Sequence, residues 1–415
     1  MIRFSVRTLL APSGERLPIL LDRSTGMPVF YPNLYVLTEL RQTNRASATI
    51  ERALRELALL LDYLVDIGVD LNERMREGRL FFPGEIDGLA RHCRQSVKSS
   101  KVVASSCAVP LGRKRTRSLQ TVSHVTAANR LRTIHAYLSW LIVLRMSYSG
   151  QHDVIRSALA HVKENVLPTL KARIPAAKGR NILGLRQGLH PEKIERLLQV
   201  VDPTYPNNPW KSDFSRKRNA LIVCWLLMLG VRRGELLNVK ISDIDFRKNE
   251  VMIARRADDP VDPRRAQPKV KTRDRILPLS SELATESHKY IIQDRRKIYG
   301  ATMHEYLFVA DHTGYPLSIV TLNKVFQTLK SKFCDLPADL SPHVLRHTWN
   351  DEFSRQVDGK NIGEVREVQM RNYLMGWSQT SATAGTYTKR FVQKEASDAS
   401  LKLQKKITKM NKDEE

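Results

Sequence analysis

Between residues 46 and 69 the apolar side chains Ile50, Leu54, Leu57, Leu60, Leu61 and Leu64 return at three- and four-residue steps, laying one apolar stripe along a helix. The same period runs from about Thr126 to Ser147 through Leu131, Ile134, Tyr137, Leu138 and Leu141. Each stripe needs a partner to cover it, so the pattern predicts a helical domain over residues 41–170. Ahead of it, Phe4–Leu10 and Leu17–Leu21 read as short strands broken by Pro and Gly, and residues 1–40 have no role that pattern alone assigns. After Pro191 the texture changes. Helical stretches Pro191–Val201 and Lys217–Leu229 lead to Gly230, and Ile244–Phe246 and Val251–Ala254 then read as a hairpin turning at Arg247, Lys248 and Asn249. A Pro- and Asp-rich loop, Asp258–Pro268, separates the hairpin from a further strand, Arg275–Leu279, after which helices resume.

Charge changes the picture more than composition does. The chain has 415 residues, room for two to three domains, with 68 Lys and Arg against 43 Asp and Glu, a net charge of +25. Such an excess predicts a polyanionic partner, nucleic acid first and an anionic membrane surface second. The longest near-continuous apolar stretch, Ala220–Val231, has 12 residues. Spanning a bilayer takes about 20, so no membrane segment is expected. The N-terminus shows no export signal and the four cysteines are scattered, which predicts reduced thiols in a cytoplasmic, nucleoid-associated protein.

The positive charge is unevenly placed. From Gly88 to His152 there is no Asp or Glu but eleven Arg and Lys, including Arg113, Lys114, Arg115 and Arg117, a pattern suited to phosphates. Residues 171–187, with Lys178 and Arg180, repeat it as a basic linker. A charged tail, residues 396–415, closes the chain.

Three local clusters carry chemistry. In the first, Gly230 breaks a buried helix and Arg232 follows, with Glu235 three residues on and able to orient it. In the second, Ser341 and Pro342 start a helix that brings His343, Arg346 and His347 to positions i, i+3 and i+4. Two His at that spacing can share a zinc, but Arg346 would repel the cation and the Glu of the zinc-protease pattern is missing, so no metal site is expected. The third cluster is Met375-Gly376-Trp377, with Tyr387 ten residues after the Trp.

In this order and spacing, Arg232, the His343-x-x-Arg346 pair, Trp377 and Tyr387 resemble the tyrosine recombinase, or phage integrase, family over the C-terminal half of the chain. The resemblance implies a mainly α fold: a helical core DNA-binding domain at residues 41–170 and a mainly helical catalytic domain with a small antiparallel sheet at 188–395. It implies a site-specific DNA recombinase in which Tyr387 attacks a scissile phosphate, leaving a 3′-phosphotyrosyl bond and a 5′-hydroxyl. Arg232 and Arg346 would grip the non-bridging oxygens, His343 would move a proton near the nucleophile, and Trp377 would pack on or donate to the phosphate. Glu235 and His347 would support them. The family acts as a homotetramer on double-stranded DNA sites, from protomers that are monomeric or weakly associated when free, and some members use accessory recombinases or DNA-bending proteins.

Phosphodiester cleavage builds charge on phosphoryl and leaving oxygens, which calls for fixed cations and an acid, and here for no metal or other cofactor. The family keeps that acid, a lysine, on a hairpin, and Lys269 and Lys271 are the candidates, with Lys271 preferred because Lys-Thr leads into the Arg275–Leu279 strand. The Asp258–Pro268 loop lengthens that hairpin, and the Trp377-to-Tyr387 interval is one residue longer than the family's commonest. Two alternatives stay open: a type IB topoisomerase relaxing supercoils, and a non-catalytic DNA-binding protein of the same fold.

Overall fold

The computed structural model describes residues 3–96, 121–148, 154–176, 188–256, 258–268, 270, 272–358, 362–378, 385 and 400. They fall into two compact units, one up to Ile182 and one from Leu183.

The first unit opens with an antiparallel hairpin, β1 (Phe4–Leu10) and β2 (Arg16–Asp22), in register from Phe4 opposite Asp22 to Leu10 opposite Arg16. Helices follow: α1 (Phe30–Tyr35), α2 (Ser47–Asp66), α3 (Leu71–Arg76), α4 (Pro83–Arg94), α5 (His124–Tyr148) and α6 (Val154–Ala172). The stripe residues Leu54, Leu57 and Leu60 of α2 meet Leu131, Ile134 and Leu138 of α5 in one buried core. The N-terminal segment does not stand apart from it. Phe4, Leu20, Tyr35 and Val36 belong to the same core. Asn33 on α1 locks the hairpin down, accepting from Leu20 N at 2.8 Å and donating to Leu20 O at 2.9 Å.

The second unit contains α7 (Pro191–Val201), α8 (Asp213–Leu229), the short α9 (Arg233–Leu236), a three-stranded antiparallel sheet and, among the described residues, four further α-helices. The sheet strands are β3 (Ile244–Asp245), β4 (Glu250–Ile253) and β5 (Arg275–Pro278), with Val251 opposite both Ile244 and Leu277. Asp245 closes the β3–β4 turn by accepting from the backbone N–H of Arg247 and Lys248, and Asn249 takes the left-handed conformation there at φ 52°. The helices are α10 (Ser281–Lys289), α11 (Ile319–Lys332), α12 (Pro342–Asp358) and α13 (Glu364–Met375). The core gathers around Trp225, whose indole N–H donates to Ser287 Oγ at 3.0 Å.

The loop expected to lengthen the lysine hairpin is not a loose extension. Asp259, Asp262, Arg264 and Gln267 within it are all buried. Among the described residues no helix is long and apolar enough to cross a membrane.

Candidate active site

The site is built where α8 stops. Gly230 caps the helix in the left-handed conformation at φ 60°, and a Cβ there would meet the Trp349 ring at 2.8 Å, so both backbone and space require glycine. The chain then runs extended through buried Val231 to Arg232, the N-cap of α9. Glu235, in the first turn of α9, reaches back. Its Oε2 accepts from Arg232 N at 3.0 Å and its Oε1 from Arg232 Nη1 at 3.3 Å.

That carboxylate is shared. Thr272 Oγ1 donates to Oε1 at 2.8 Å, Arg275 Nη2 to Oε2 at 2.8 Å, and Arg346 Nη1 lies 3.9 Å from Oε2. Burial pushes the Glu235 carboxyl upward, but the Arg275 and Arg346 guanidinium groups outweigh it and hold the group below the ordinary carboxylate range. Glu235 is therefore an ionised carboxylate in a dry place. Three guanidinium groups, those of Arg232, Arg275 and Arg346, share this one carboxylate, an excess of two positive charges.

Arg346 arrives from α12, whose first turn is set by Ser341 Oγ accepting from Val344 N at 3.4 Å, with Pro342 next in line. Its side chain turns inward and is 1% exposed. Nη1 donates to Gly230 O at 2.7 Å and Nη2 to Met375 O at 3.3 Å, while the guanidinium carbon lies 5.3 Å from the Trp377 ring centroid. His343 and His347 share the helix but not that environment. His343 is exposed, His347 is half-buried, and their rings stand 4.4 Å apart.

Trp377 is placed by α13. The helix is pinned to α12 by Arg371, which is buried, pairs with Glu367 and donates to Asn350 O and Ser354 Oγ. It ends at Gly376 with φ 65°, where a Cβ would come within 2.7 Å of Arg275 Nη1. Gly376 O accepts from Arg273 N at 3.0 Å, which ties the Trp377 turn to the stretch leading into β5.

Arg232, Glu235, Arg346 and Trp377, singled out from sequence, are thus brought together in one cluster. Lys269, Lys271 and Tyr387 lie outside the described residues, as do Arg113, Lys114, Arg115, Arg117, Lys178 and Arg180. Sequence reasoning missed Arg275 and Thr272, reading the first only as the start of a strand. Its signal was present. Alternation along β5 puts Arg275 on the face of buried Leu277, and an arginine on a core face demands a buried anion. Among the described residues no cluster of three or more His, Cys, Asp or Glu is placed to hold a metal ion.

The phage integrase family model matches residues 187–394. The tyrosine recombinase XerA of Thermococcus kodakarensis is 27% identical over 262 residues, 62% of this chain and 78% of that protein. A tyrosine recombinase of Pseudothermotoga lettingae is 27% identical over 201 residues, 48% of this chain and 59% of its own length. Among solved structures, the Tn1549 transposon integrase is similar at a TM-score of 0.47 and 16% identity, over 88% of this chain and 100% of that one. The chain belongs to the phage integrase family and is a tyrosine recombinase.

Proposed function

We propose that this recombinase cuts and rejoins duplex DNA with the Tyr387 hydroxyl as nucleophile. One observation carries the reading: Arg232 and Arg346, from distant segments, converge on the ionised Glu235 beside Trp377. A surplus of fixed positive charge with little water around it is the arrangement that stabilises a pentacovalent phosphate. Arg232, about a third exposed, meets the phosphate first. Arg346 is enclosed here, so its guanidinium reaches a phosphoryl oxygen only once the side chains over it part.

In the reaction, the Tyr387 oxygen bonds to phosphorus while its proton passes toward His343. The bond from phosphorus to the 5′-oxygen breaks, and Lys271, or Lys269 in its place, gives that oxygen a proton. A 3′-phosphotyrosyl ester and a 5′-hydroxyl result, and the reverse sequence rejoins strands without ATP because the ester keeps the phosphodiester's reactivity. Residues 41–170 serve as a DNA-binding domain and residues 188–395 as the catalytic domain, with Arg113, Lys114, Arg115, Arg117, Lys178 and Arg180 against the backbone. The working assembly is a homotetramer on two DNA sites, with accessory recombinases or DNA-bending proteins as further partners, in the nucleoid.

The test uses nicked suicide duplexes cut from DNA bordering the protein's own gene. The wild-type chain forms a covalent adduct that denaturing gels retain, and Tyr387→Phe binds the same duplex but forms none. An unchanged adduct yield in Tyr387→Phe would exclude this side chain as the nucleophile.

A further inference from the structure

The loop between β4 and β5 is far longer than a hairpin requires, and three of its charged residues, Asp259, Asp262 and Arg264, are buried instead of solvated. Arg264 is 8% exposed and Asp262 1%. Enclosing ions is unfavourable unless each is paired and hydrogen-bonded, and here both are. The Arg264 guanidinium donates to Asp262 Oδ2 at 2.8 Å, and to Leu237 O and Leu317 O at 3.0 Å each. Its Nη2 also donates to Asn238 Oδ1 at 3.2 Å. A second tether holds the start of the loop, where Asp259 pairs with Lys240 Nζ at 2.8 Å and accepts from the Tyr306 hydroxyl at 3.0 Å.

Asn238 lies just beyond α9 and is 2% exposed. With its oxygen committed to Arg264, its amide nitrogen faces Pro268 O and donates at 2.6 Å. An amide whose two ends have different partners has one orientation. A buried chain from Asp262 through Arg264 and Asn238 therefore ends on the carbonyl that directly precedes Lys269. Beyond the two lysines, Thr272 Oγ1 is bound to Glu235, and Val270 between them is buried. The stretch bearing both candidate acids is fastened on either side to residues 235–238.

We propose that Asn238, fixed by Arg264, is a positioning residue for the lysine that protonates the leaving 5′-oxygen. The inference rests on the lysine acid of the proposed function. The bonds at Pro268 O and Thr272 Oγ1 fix both ends of this stretch before DNA arrives, which a loose hairpin would not do. Misplacing a reacting group by about 1 Å costs on the order of 100-fold in rate.

The variant of choice is Asn238→Asp, which keeps the acceptor for Arg264 and replaces the donor to Pro268 O with a second oxygen. The probe is the duplex that gives the wild-type adduct, compared with the same duplex carrying sulfur for the bridging 5′-oxygen, a leaving group that needs no proton. Asn238→Asp is expected to lower adduct formation on the oxygen duplex by about 10- to 100-fold and to recover near wild-type rates on the sulfur duplex, with DNA affinity unchanged. If Asn238→Asp does not fold, Arg264→Lys carries the same expectation, since an ammonium keeps the pairing with Asp262 but cannot make the other donations together. Rescue of Lys271→Ala or Lys269→Ala by sulfur, without rescue of the positioning variant, overturns the inference and leaves the lysine role intact. So does an undiminished rate on the oxygen duplex. If sulfur rescues neither lysine variant, the lysine role itself fails and the inference falls with it.

Discussion

The core of the first unit and the Glu235–Arg275–Arg346 centre of the second are both buried but held by different forces. Around α2 and α5 the enclosed side chains, Glu56 with its bond from Thr133 Oγ1 apart, are aliphatic and aromatic, such as Leu54, Leu57, Leu60 and Leu138, and their apolar contacts have no direction. The second unit buries Arg218, Arg264, Arg275, Arg295, Arg346 and Arg371, each with directed donors and named acceptors. An apolar core forgives a change of shape that keeps its volume. A buried ionic network does not forgive loss of one member, because the charge left behind has no water to replace the partner.

The sharpest way to break this comparison is Glu235→Ala. It leaves Arg275 and Arg346 in a dry site without their carboxylate and is expected to destabilise the second unit by about 3–5 kcal/mol, with adduct formation lost as well. Urea denaturation followed by Trp fluorescence measures the first effect. A loss no larger than that of a surface substitution would show that the arginines find other partners. Acid sharpens the point. The Glu235 carboxyl titrates lower in the folded protein than in the unfolded chain, so its stabilising contribution is complete above the unfolded value, about 4.3, and fades as pH falls through the lower folded value. Glu235→Gln should lack that part of the acid sensitivity, so the gap between variant and wild type narrows as the pH is lowered.

In the first unit, Leu57→Ala is expected to cost about 2–5 kcal/mol through lost burial and the cavity it leaves, whereas Leu57→Met should cost less than about 1.5 kcal/mol. Hydrogen exchange locates the damage, which should raise exchange across α2 and α5 and leave the first turn of α12 protected. If Leu57→Met proved as damaging as Glu235→Ala, the contrast between a forgiving core and an exacting site would not hold.

The same contrast explains what could be read from residue order alone. Helices α2 and α5 were legible because burial imposes a period of 3.6 on their leucines, and the β3–β4 turn because Asn249 supplies the positive φ that it needs. Helices α4 and α6 were not anticipated, since polar residues interrupt their stripes and Pro168 sits inside α6. At the site, Arg232, Arg346 and Trp377 were legible through spacing and resemblance. Arg275, Asn238 and Arg264 were not. Their importance lies in pairings between residues 26 to 40 positions apart, and no local period records these.

The smallest expected effect asks whether the site feels the helix that carries it. Ser341→Ala removes the cap of α12 and, since its bond to Val344 N is long at 3.4 Å, should cost about 0.5–1 kcal/mol. Ser280→Ala removes the equivalent cap of α10, where Ser280 Oγ accepts from Leu283 N at 3.2 Å, and should cost about the same. Their consequences for strand cleavage should differ. Fraying the first turn of α12 loosens His343 directly and Arg346 one turn later, whereas α10 carries no residue of the cluster. Adduct formation should therefore fall several-fold in Ser341→Ala and stay unchanged in Ser280→Ala at matched stability. Equal losses in both would mean that overall stability, and not the seating of His343 and Arg346, limits the reaction.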